Sequence, residues 1–179
     1  MESIYEIMQR RQSDRAYDPS RKVEREKTER IIAAARLAPS ACNSQPWHFI
    51  VVDDPEKCRA TADALASMGM NKFAAQAPCF IIVVQELPNF TARLGGWIKN
   101  KHFPLIDCGI AASYITLAAT EEGLGSCILG WFDEKRLKRL FGVPSSRRVL
   151  LVIALGYSQQ EHREKARRPI NEIASRNEY

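Results

Sequence analysis

Two apolar runs rich in β-branched residues constrain the fold of this 179-residue chain more than any other feature. They are CFIIVVQ, from Cys79 to Gln85, and VLLVIALGY, from Val149 to Tyr157, and each is bounded by proline, glycine or charged residues. Continuous runs of this kind are typical of strands that are buried on both faces. The sequence therefore predicts one sheet with these runs as interior strands. The run WHFIVV, which begins at Trp47, predicts another strand.

Apolar residues recur at helical spacing in four further segments, which predicts four amphipathic helices. These segments run from 3 to 10, 24 to 37, 55 to 68 and 134 to 141. A fifth segment, from Ile106 to Ala119, is apolar or small on every side, which predicts a helix buried all round. In a chain this short, such burial favours contact with a second subunit, although a central core helix would produce the same pattern. The length favours a single domain, 1–179.

Several common functional motifs are absent from the sequence. The stretch GLGSCI, from Gly123 to Ile128, lacks the third glycine of a dinucleotide-binding fingerprint and leads from a helix into a strand. There is no phosphate-binding loop of the Gly-x-x-x-x-Gly-Lys type and no hydrolase Gly-x-Ser-x-Gly elbow. The three histidines lack triad or metal-site spacing, and the five cysteines are widely spaced. We therefore expect neither a metal site nor a disulfide framework.

Charge and hydropathy limit the compartment and the partners. The N-terminal stretch MESIYEIMQRRQSDR carries charges where a signal peptide is apolar, and we expect no membrane span and no membrane partner. We therefore expect a cytoplasmic protein. The net charge is +5, but basic and acidic residues alternate along most of the chain. Such mixing is typical of a solvated surface, whereas nucleic-acid binding needs a basic stripe with interleaved aromatic residues, so we expect no nucleic-acid partner.

Arginine-rich segments near both ends of the chain are the remaining candidates for chemistry. RRQSDR, at 10–15, surrounds the hydroxyl of Ser13, and REKARRP, at 163–169, adds a second group of basic residues. Guanidinium groups form paired, charge-assisted hydrogen bonds with phosphate, and a serine hydroxyl adds a compact donor. Either segment alone is more often a solvated charged face. Together they could hold one phosphate.

Four motifs, taken together, resemble the FMN-dependent nitroreductase family in order and spacing. They are RQSDRAYD, AARLAPSACNSQPWHFIVVDD, GLGSCILGWFD, and LVIALGY followed by KARRPINEI, and they cover nearly the whole chain. The chain is similar to the shorter members of that family. The resemblance implies an α+β fold, a nitroreductase-like three-layer sandwich with a central, mostly antiparallel sheet flanked by helices. It also implies an intertwined homodimer with two FMN sites at the interface.

The resemblance assigns the phosphate of FMN to the two chain ends. Arg11, Ser13, Lys165 and Arg167 would hold it, with Gln12 nearby. Arg15 would lie near the flavin N1 and C2 carbonyl. The turn formed by Ile128, Leu129 and Gly130 would pass along the dimethylbenzene-to-N5 side, with the backbone N–H of Gly130 as the expected partner of N5.

The resemblance also gives a role to LAPSACNSQPWHF, at 37–49, which we call the junction. It would border the flavin of the other subunit, because small residues let the backbone approach a flat ring and amides satisfy its polar edge. The residues implied are Pro39, Ser40, Ala41, Asn43 and Gln45. The family's lysine before the second strand is matched only loosely, by Lys72.

The implied activity is an NAD(P)H-dependent flavin oxidoreductase of the nitroreductase type. A hydride from NADH or NADPH would pass through flavin N5 to a flat, electron-poor substrate, such as a nitroaromatic or a quinone, in a ping-pong cycle. No catalytic acid or base is expected. A flavoprotein of the same fold with another task, such as dehalogenation, flavin destruction or non-catalytic FMN binding, remains an alternative. A basic nucleic-acid-binding module is a weaker one.

The segment from Glu86 to Pro104 shows no clear period and contains the paired Gly95 and Gly96, so we expect a mobile loop there. Its aromatic residues, together with one after the flavin turn, could stack on a flat substrate. They could equally pack the loop against the body or the dimer partner. The substrate-lining residues under the first interpretation are Trp97, Phe103 and Trp131.

Overall fold

The computed structural model describes residues 3–179, except for the side chains of Arg93 and Trp97. Seven helices are found in this part of the chain: α1 (Ile4–Arg10), α2 (Arg25–Ala35), α3 (Pro55–Leu65), α4 (Phe90–Lys99), α5 (Phe103–Glu121), α6 (Glu134–Phe141) and α7 (Ile170–Ile173). Its four strands are β1 (Trp47–Val52), β2 (Cys79–Gln85), β3 (Gly125–Leu129) and β4 (Arg148–Gly156). Short 3₁₀ turns lie at Ala41–Asn43, Ser67–Gly69 and Lys72–Gln76.

The four strands form one sheet in the order β1-β2-β4-β3, and every neighbouring pair is antiparallel. The two central strands are β2 and β4, which are the two apolar runs that the sequence predicts as interior strands. Residues 79–84 of β2 are all buried, as expected for a strand covered on both faces. The predictions of the interior strands are therefore confirmed.

Helices cover both faces of the sheet, because alternate residues of the central strands point to opposite sides. On one face, Phe80 and Ile82 pack into a core with Leu65 of α3 and Leu137 of α6. On the other face, the core contains these residues of the strands and of α2 and α5: Ile81, Ile153, Ile31 and Ile115. The fold is thus a three-layer α+β sandwich around an antiparallel sheet, as predicted.

Helix α5 supplies much of the second core but is not buried all round. Cys108, Ala112 and Ile115 lie in that core. In contrast, Leu105 is 48% exposed and Ile106 is 54% exposed, so an apolar outer face is open to solvent in the single chain. By length and composition α5 could also cross a membrane, although the sequence analysis predicts no membrane span. Its packing against the sheet and α2 is that of a core helix.

The prediction of an irregular segment at 86–104 is wrong, because residues 90–99 form α4. Asn89 caps this helix, since its Oδ1 accepts a hydrogen bond from the backbone N–H of Ala92 at 2.9 Å. The sequence analysis takes the paired glycines as a sign of a loop, but close packing explains one of them, Gly96. A Cβ at Gly96 would lie 2.8 Å from the carbonyl oxygen of Lys101, so only glycine fits where α4 turns toward α5.

Candidate functional site

The two ends of the chain run beside each other next to β3. Gln12 connects them twice: its Nε2 donates to the carbonyl of Glu161 at 3.1 Å, and its Oε1 accepts from the backbone N–H of Arg163 at 3.0 Å. The backbone N–H of Arg15 donates to Oε1 of Gln160 at 3.0 Å. These bonds bring together the two arginine-rich segments that lie about 150 positions apart in the sequence.

Arg11, Lys165 and Arg167 form a group of cations at this meeting point, which we call the chain-end cluster. The pKa of Lys165 is lowered, first because partial burial disfavours the charged amine and then because Arg11 and Arg167 repel it. The Lys165 amine donates to the carbonyl of Gln9, which fixes it against the end of α1. Like charges held together in this way create a positive potential that a bound anion would relieve.

Asp14 anchors the segment that carries Arg11 and Ser13, and sequence reasoning missed it. The residue is only 4% exposed. Its Oδ1 accepts from Gln12 Nε2 at 2.9 Å and from Ser158 Oγ at 2.7 Å, and its backbone N–H donates to Ser126 at 2.9 Å. A Cβ at Gly125 would lie 2.8 Å from Asp14 Oδ2, so the glycine at the start of β3 makes room for this carboxylate.

The junction has an unusual backbone conformation. Cys42, Asn43 and Gln45 have φ angles of 51°, 48° and 48°, in the left-handed region that favours glycine. Each such residue costs on the order of 1–3 kcal/mol, so the conformation persists only where the surroundings impose it. Within the junction, Ser40 Oγ accepts from the backbone N–H of Gln45 at 2.9 Å, and the Gln45 amide donates to Asn43 Oδ1 at 3.2 Å. Both amide residues are exposed, and so is Pro39.

Two helices hold the junction from outside. The buried carboxylate of Asp107, in α5, accepts from the backbone N–H of Ala41 with distances of 3.3 and 3.2 Å to its two oxygens. Burial raises the pKa of Asp107, and the hydrogen bond from Ala41 opposes this shift. Asn89, the cap of α4, donates its backbone N–H to Ser44 Oγ at 2.8 Å and its side-chain amide to the carbonyl of Cys42 at 3.0 Å. Neither Asp107 nor Asn89 stands in one of the sequence motifs, so no signal in the sequence points to them.

The turn after β3 offers an open surface. Ile128 is 40% exposed, although the other residues of β3 are buried. Leu129 lies in the core, and nothing lies within 4 Å of a Cβ placed on Gly130. A flat molecule could therefore approach the backbone of this turn closely.

The segment before β2 lies against the turn that follows β3. The side-chain amide of Asn71 donates to the carbonyl of Trp131 at 2.9 Å. Lys72, which begins the adjacent 3₁₀ turn, is exposed. The loosely matched lysine is thus connected to the turn through its neighbour.

The three predicted substrate residues have different surroundings. Trp131 is 52% exposed next to the open turn. Phe103 begins α5 half-buried, and its ring lies over Gly96, 3.5 Å from where a Cβ would stand. That contact favours packing between α4 and α5 for Phe103. The side chain of Trp97 lies outside the described part of the structure.

Comparison with known proteins gives one consistent family. The Nitroreductase family model matches residues 8–70 and 60–157. A protein of Archaeoglobus fulgidus, provisionally named NADH dehydrogenase/NAD(P)H nitroreductase, is 34% identical over 165 residues, which is 90% of this chain and 88% of that protein. The oxygen-insensitive NADPH nitroreductase of Helicobacter acinonychis is 27% identical over 194 residues, which is 93% of this chain and 92% of that protein.

Solved structures share the fold over almost the whole chain. An FMN-dependent nitroreductase from Clostridium difficile R20291 is 31% identical, with a TM-score of 0.76 over 97% of this chain and 98% of that one. A nitroreductase family protein from Clostridium novyi NT is 29% identical, with a TM-score of 0.77 over 88% and 86%.

Proposed function

The chain belongs to the nitroreductase family and is an NAD(P)H-dependent oxidoreductase, and we propose that it works through FMN bound at the chain-end cluster. The observation that carries this proposal is the meeting of the two chain ends, where hydrogen bonds from Arg163 to Gln12 and from Lys165 to Gln9 bring Lys165 beside Arg11 and Arg167. The three cations repel one another, and a phosphate group supplies the negative charge that would neutralise them. Guanidinium groups suit it because they donate paired hydrogen bonds to its oxygens.

The rest of the site also fits FMN. The half-exposed Ile128 and the uncrowded Gly130 leave a surface on which a flat ring could lie. The exposed amides of Asn43 and Gln45 can donate to and accept from the polar edge of such a ring. The donor set therefore matches a ligand with a phosphate at one end and a flat heterocycle at the other.

The chain's own part in the reaction is to bind, orient and supply charge. The chemistry supplied by FMN is hydride transfer, from NADH or NADPH in one half-reaction and to a flat, electron-poor acceptor in the next. Arg15, whose backbone is fixed by Gln160, would place a positive charge where negative charge develops. The junction and the turn after β3 would hold the ring's edges in place. No proton transfer by a side chain of this chain is required.

We also propose a homodimer, because the junction and the chain-end cluster lie at opposite corners of the sheet. Residues 39–45 of the junction come just before Trp47, which pairs with Gln85, and Gln85 in turn pairs with Arg148 at one end of the sheet. The segment of Ser13 bridges to β3 beside Gly125, at the opposite end of the sheet. Strand geometry separates these corners by about 14 Å across the sheet and about 25 Å along it. One flavin can then contact both regions only if the junction comes from a second copy.

The surface of the chain supports this assembly. The outer face of α5, including the exposed Leu105 and Ile106, is apolar and needs cover. The tail after β4 is exposed throughout residues 166–179 and carries Ile170, which is 79% exposed, and Ile173. A tail of this kind gains stability by lying over a partner, so we propose that dimerisation and cofactor binding are coupled.

The test is to reconstitute the purified protein with FMN and to add NADH or NADPH without oxygen. We expect stoichiometric FMN, loss of flavin absorbance with at least one nicotinamide, and its return with a nitroaromatic or a quinone. An enone belongs in the panel, because the relative from Lactiplantibacillus plantarum, 28% identical, is named CLA biosynthesis enone reductase. A protein that takes up no FMN would contradict the proposal. One that binds FMN but is reduced by neither nicotinamide would support a flavoprotein with another task.

A further inference from the structure

Asp107 is a buried charged residue that the proposed function does not use. It lies near the start of α5 with 4% of its surface exposed. Both carboxylate oxygens face the backbone N–H of Ala41, at 3.3 and 3.2 Å. The next residue, Cys108, donates its Sγ–H to the carbonyl of Pro46 at 3.4 Å. Helix α5 therefore contacts the junction backbone at two points, five residues apart.

The strained residues of the junction lie between these two points. Cys42, Asn43 and Gln45 all have positive φ angles, and none of them is glycine. Ala41 is also the first residue of the 3₁₀ turn, so its N–H has no partner within the turn and takes Asp107 instead. Without that acceptor, a partly buried donor would lose its bond and the strained backbone would be free to relax.

A carboxylate is a costly choice for this position if the task is only to pack a helix. Burial disfavours a charged group unless hydrogen bonds compensate it, and here burial outweighs the bond from Ala41 in setting the pKa. A residue that costs stability and binds one backbone group of a functional loop is typical of a site shaped for function.

We propose that Asp107 is a positioning residue, which fixes the backbone of Ala41 and thereby keeps the junction in the conformation that presents Asn43 and Gln45 to the flavin. The inference rests on the proposed function, since it takes the junction as one wall of the FMN site. Asp107 itself touches neither cofactor nor substrate in this account. It acts through Ala41.

Three variants test the proposal. Asp107→Leu removes both acceptors and keeps the branching and the number of side-chain heavy atoms, and Asp107→Asn keeps one acceptor without the charge. The control is Thr116→Val in the same helix. Thr116 is 4% exposed, and its hydroxyl donates to the carbonyl of Ser113 within α5. If Asp107→Leu does not fold, Asp107→Ala takes its place.

The first readout uses the flavin-free protein. Amide hydrogen exchange in the junction should speed up about tenfold in Asp107→Leu, as expected for loss of a hydrogen bond to a charged group, and less in Asp107→Asn. Thr116→Val should exchange like the parent. The second readout is the binding of FMN. In Asp107→Leu only, FMN affinity should weaken about tenfold, and the visible circular dichroism spectrum of bound FMN should change shape.

The two proposals fail in different ways. If Asp107→Leu, or Asp107→Ala in its place, exchanged at the junction and bound FMN like Thr116→Val, the positioning role would be overturned while the parent's FMN binding stood. If the parent bound no FMN, the proposed function would fall, and this inference, which takes the junction as part of that site, would fall with it.

Discussion

The chain-end cluster and the junction supply the two halves of one proposed cofactor site, but they are built in opposite ways. The cluster consists of side-chain charges on an unstrained segment, which is fixed to β3 by the buried Asp14 and the connecting Gln12. The junction consists of exposed backbone and amides in a strained conformation, held from outside by α4 and α5. We infer that the first region binds the phosphate, that the second holds the ring, and that FMN is retained only where both are intact.

The largest expected effect comes from removing charge at the cluster. Lys165→Gln with Arg167→Gln should weaken FMN binding by about 3–6 kcal/mol, at 1.5–3 kcal/mol for each charged hydrogen bond lost. Titration of the flavin-free protein by fluorescence quenching measures this. Riboflavin, which lacks the phosphate, should bind poorly and equally to parent and variant. An unchanged FMN affinity would remove the tail from the site.

A smaller loss should follow when the support of the cluster is removed without touching its cations. Asp14→Ala leaves Gln12 and Ser158 without their shared acceptor, so the free energy of unfolding should fall by about 2–4 kcal/mol. Urea denaturation measures it. Asp63→Ala breaks only a surface ion pair with Arg136 and should change stability by less than about 1 kcal/mol. Equal effects of the two changes would show that Asp14 does not anchor the segment.

The adjacent glycines of α4 give a test on the junction side. Gly96→Ala should cost about 1–3 kcal/mol of stability, because its Cβ would meet the carbonyl of Lys101 at 2.8 Å. Gly95→Ala has open space and should stabilise the helix by about 0.5–1 kcal/mol. Thermal unfolding of both variants checks the signs. Two changes of the same sign would argue that residues 90–99 are not the helix described here.

The smallest effect is a pH dependence that belongs to the junction alone. Because burial raises the pKa of Asp107, the folded state binds its proton more tightly than the unfolded state does. Its contribution to stability is therefore greatest at acid pH and declines as the pH rises above 3.8, the ordinary pKa of this carboxyl. Asp107→Asn should gain stability relative to the parent over that rise. A difference that stayed constant with pH, measured by urea denaturation, would mean that burial does not disfavour the charge.

The sequence predicts the layers of this fold well, because apolar period and burial are properties of single segments. The strands at 79–85 and 148–156 and the helices α1, α2 and α6 follow from that pattern. Helix α4 is not predicted. Its exposed residues Phe90, Leu94 and Ile98 recur at helical spacing, but the two glycines among them indicate a loop instead.

The supporting residues of the site are harder to predict than the residues thought to touch the cofactor. The resemblance assigns contacts to Arg11 and Ser13, whereas it gives no role to Asp107 or to Asp14, although Asp14 stands in the same motif. Their burial depends on where β3 and the junction lie in the fold, which no local pattern encodes. The sequence therefore predicts the residues that would contact the cofactor, but not the buried carboxylates that hold those residues in place.

The central claim, that one site needs the two regions from different copies, has a direct test by subunit mixing. One variant carries Lys165→Gln and Arg167→Gln, and the other carries Asn43→Ala and Gln45→Ala, so that neither alone should retain FMN. After subunit exchange, a mixed dimer contains one site with both defects and one intact site. Random exchange then predicts about one FMN for every four chains, measured by flavin absorbance after gel filtration. No recovery of FMN, with mixed dimers shown to form, would contradict the shared site.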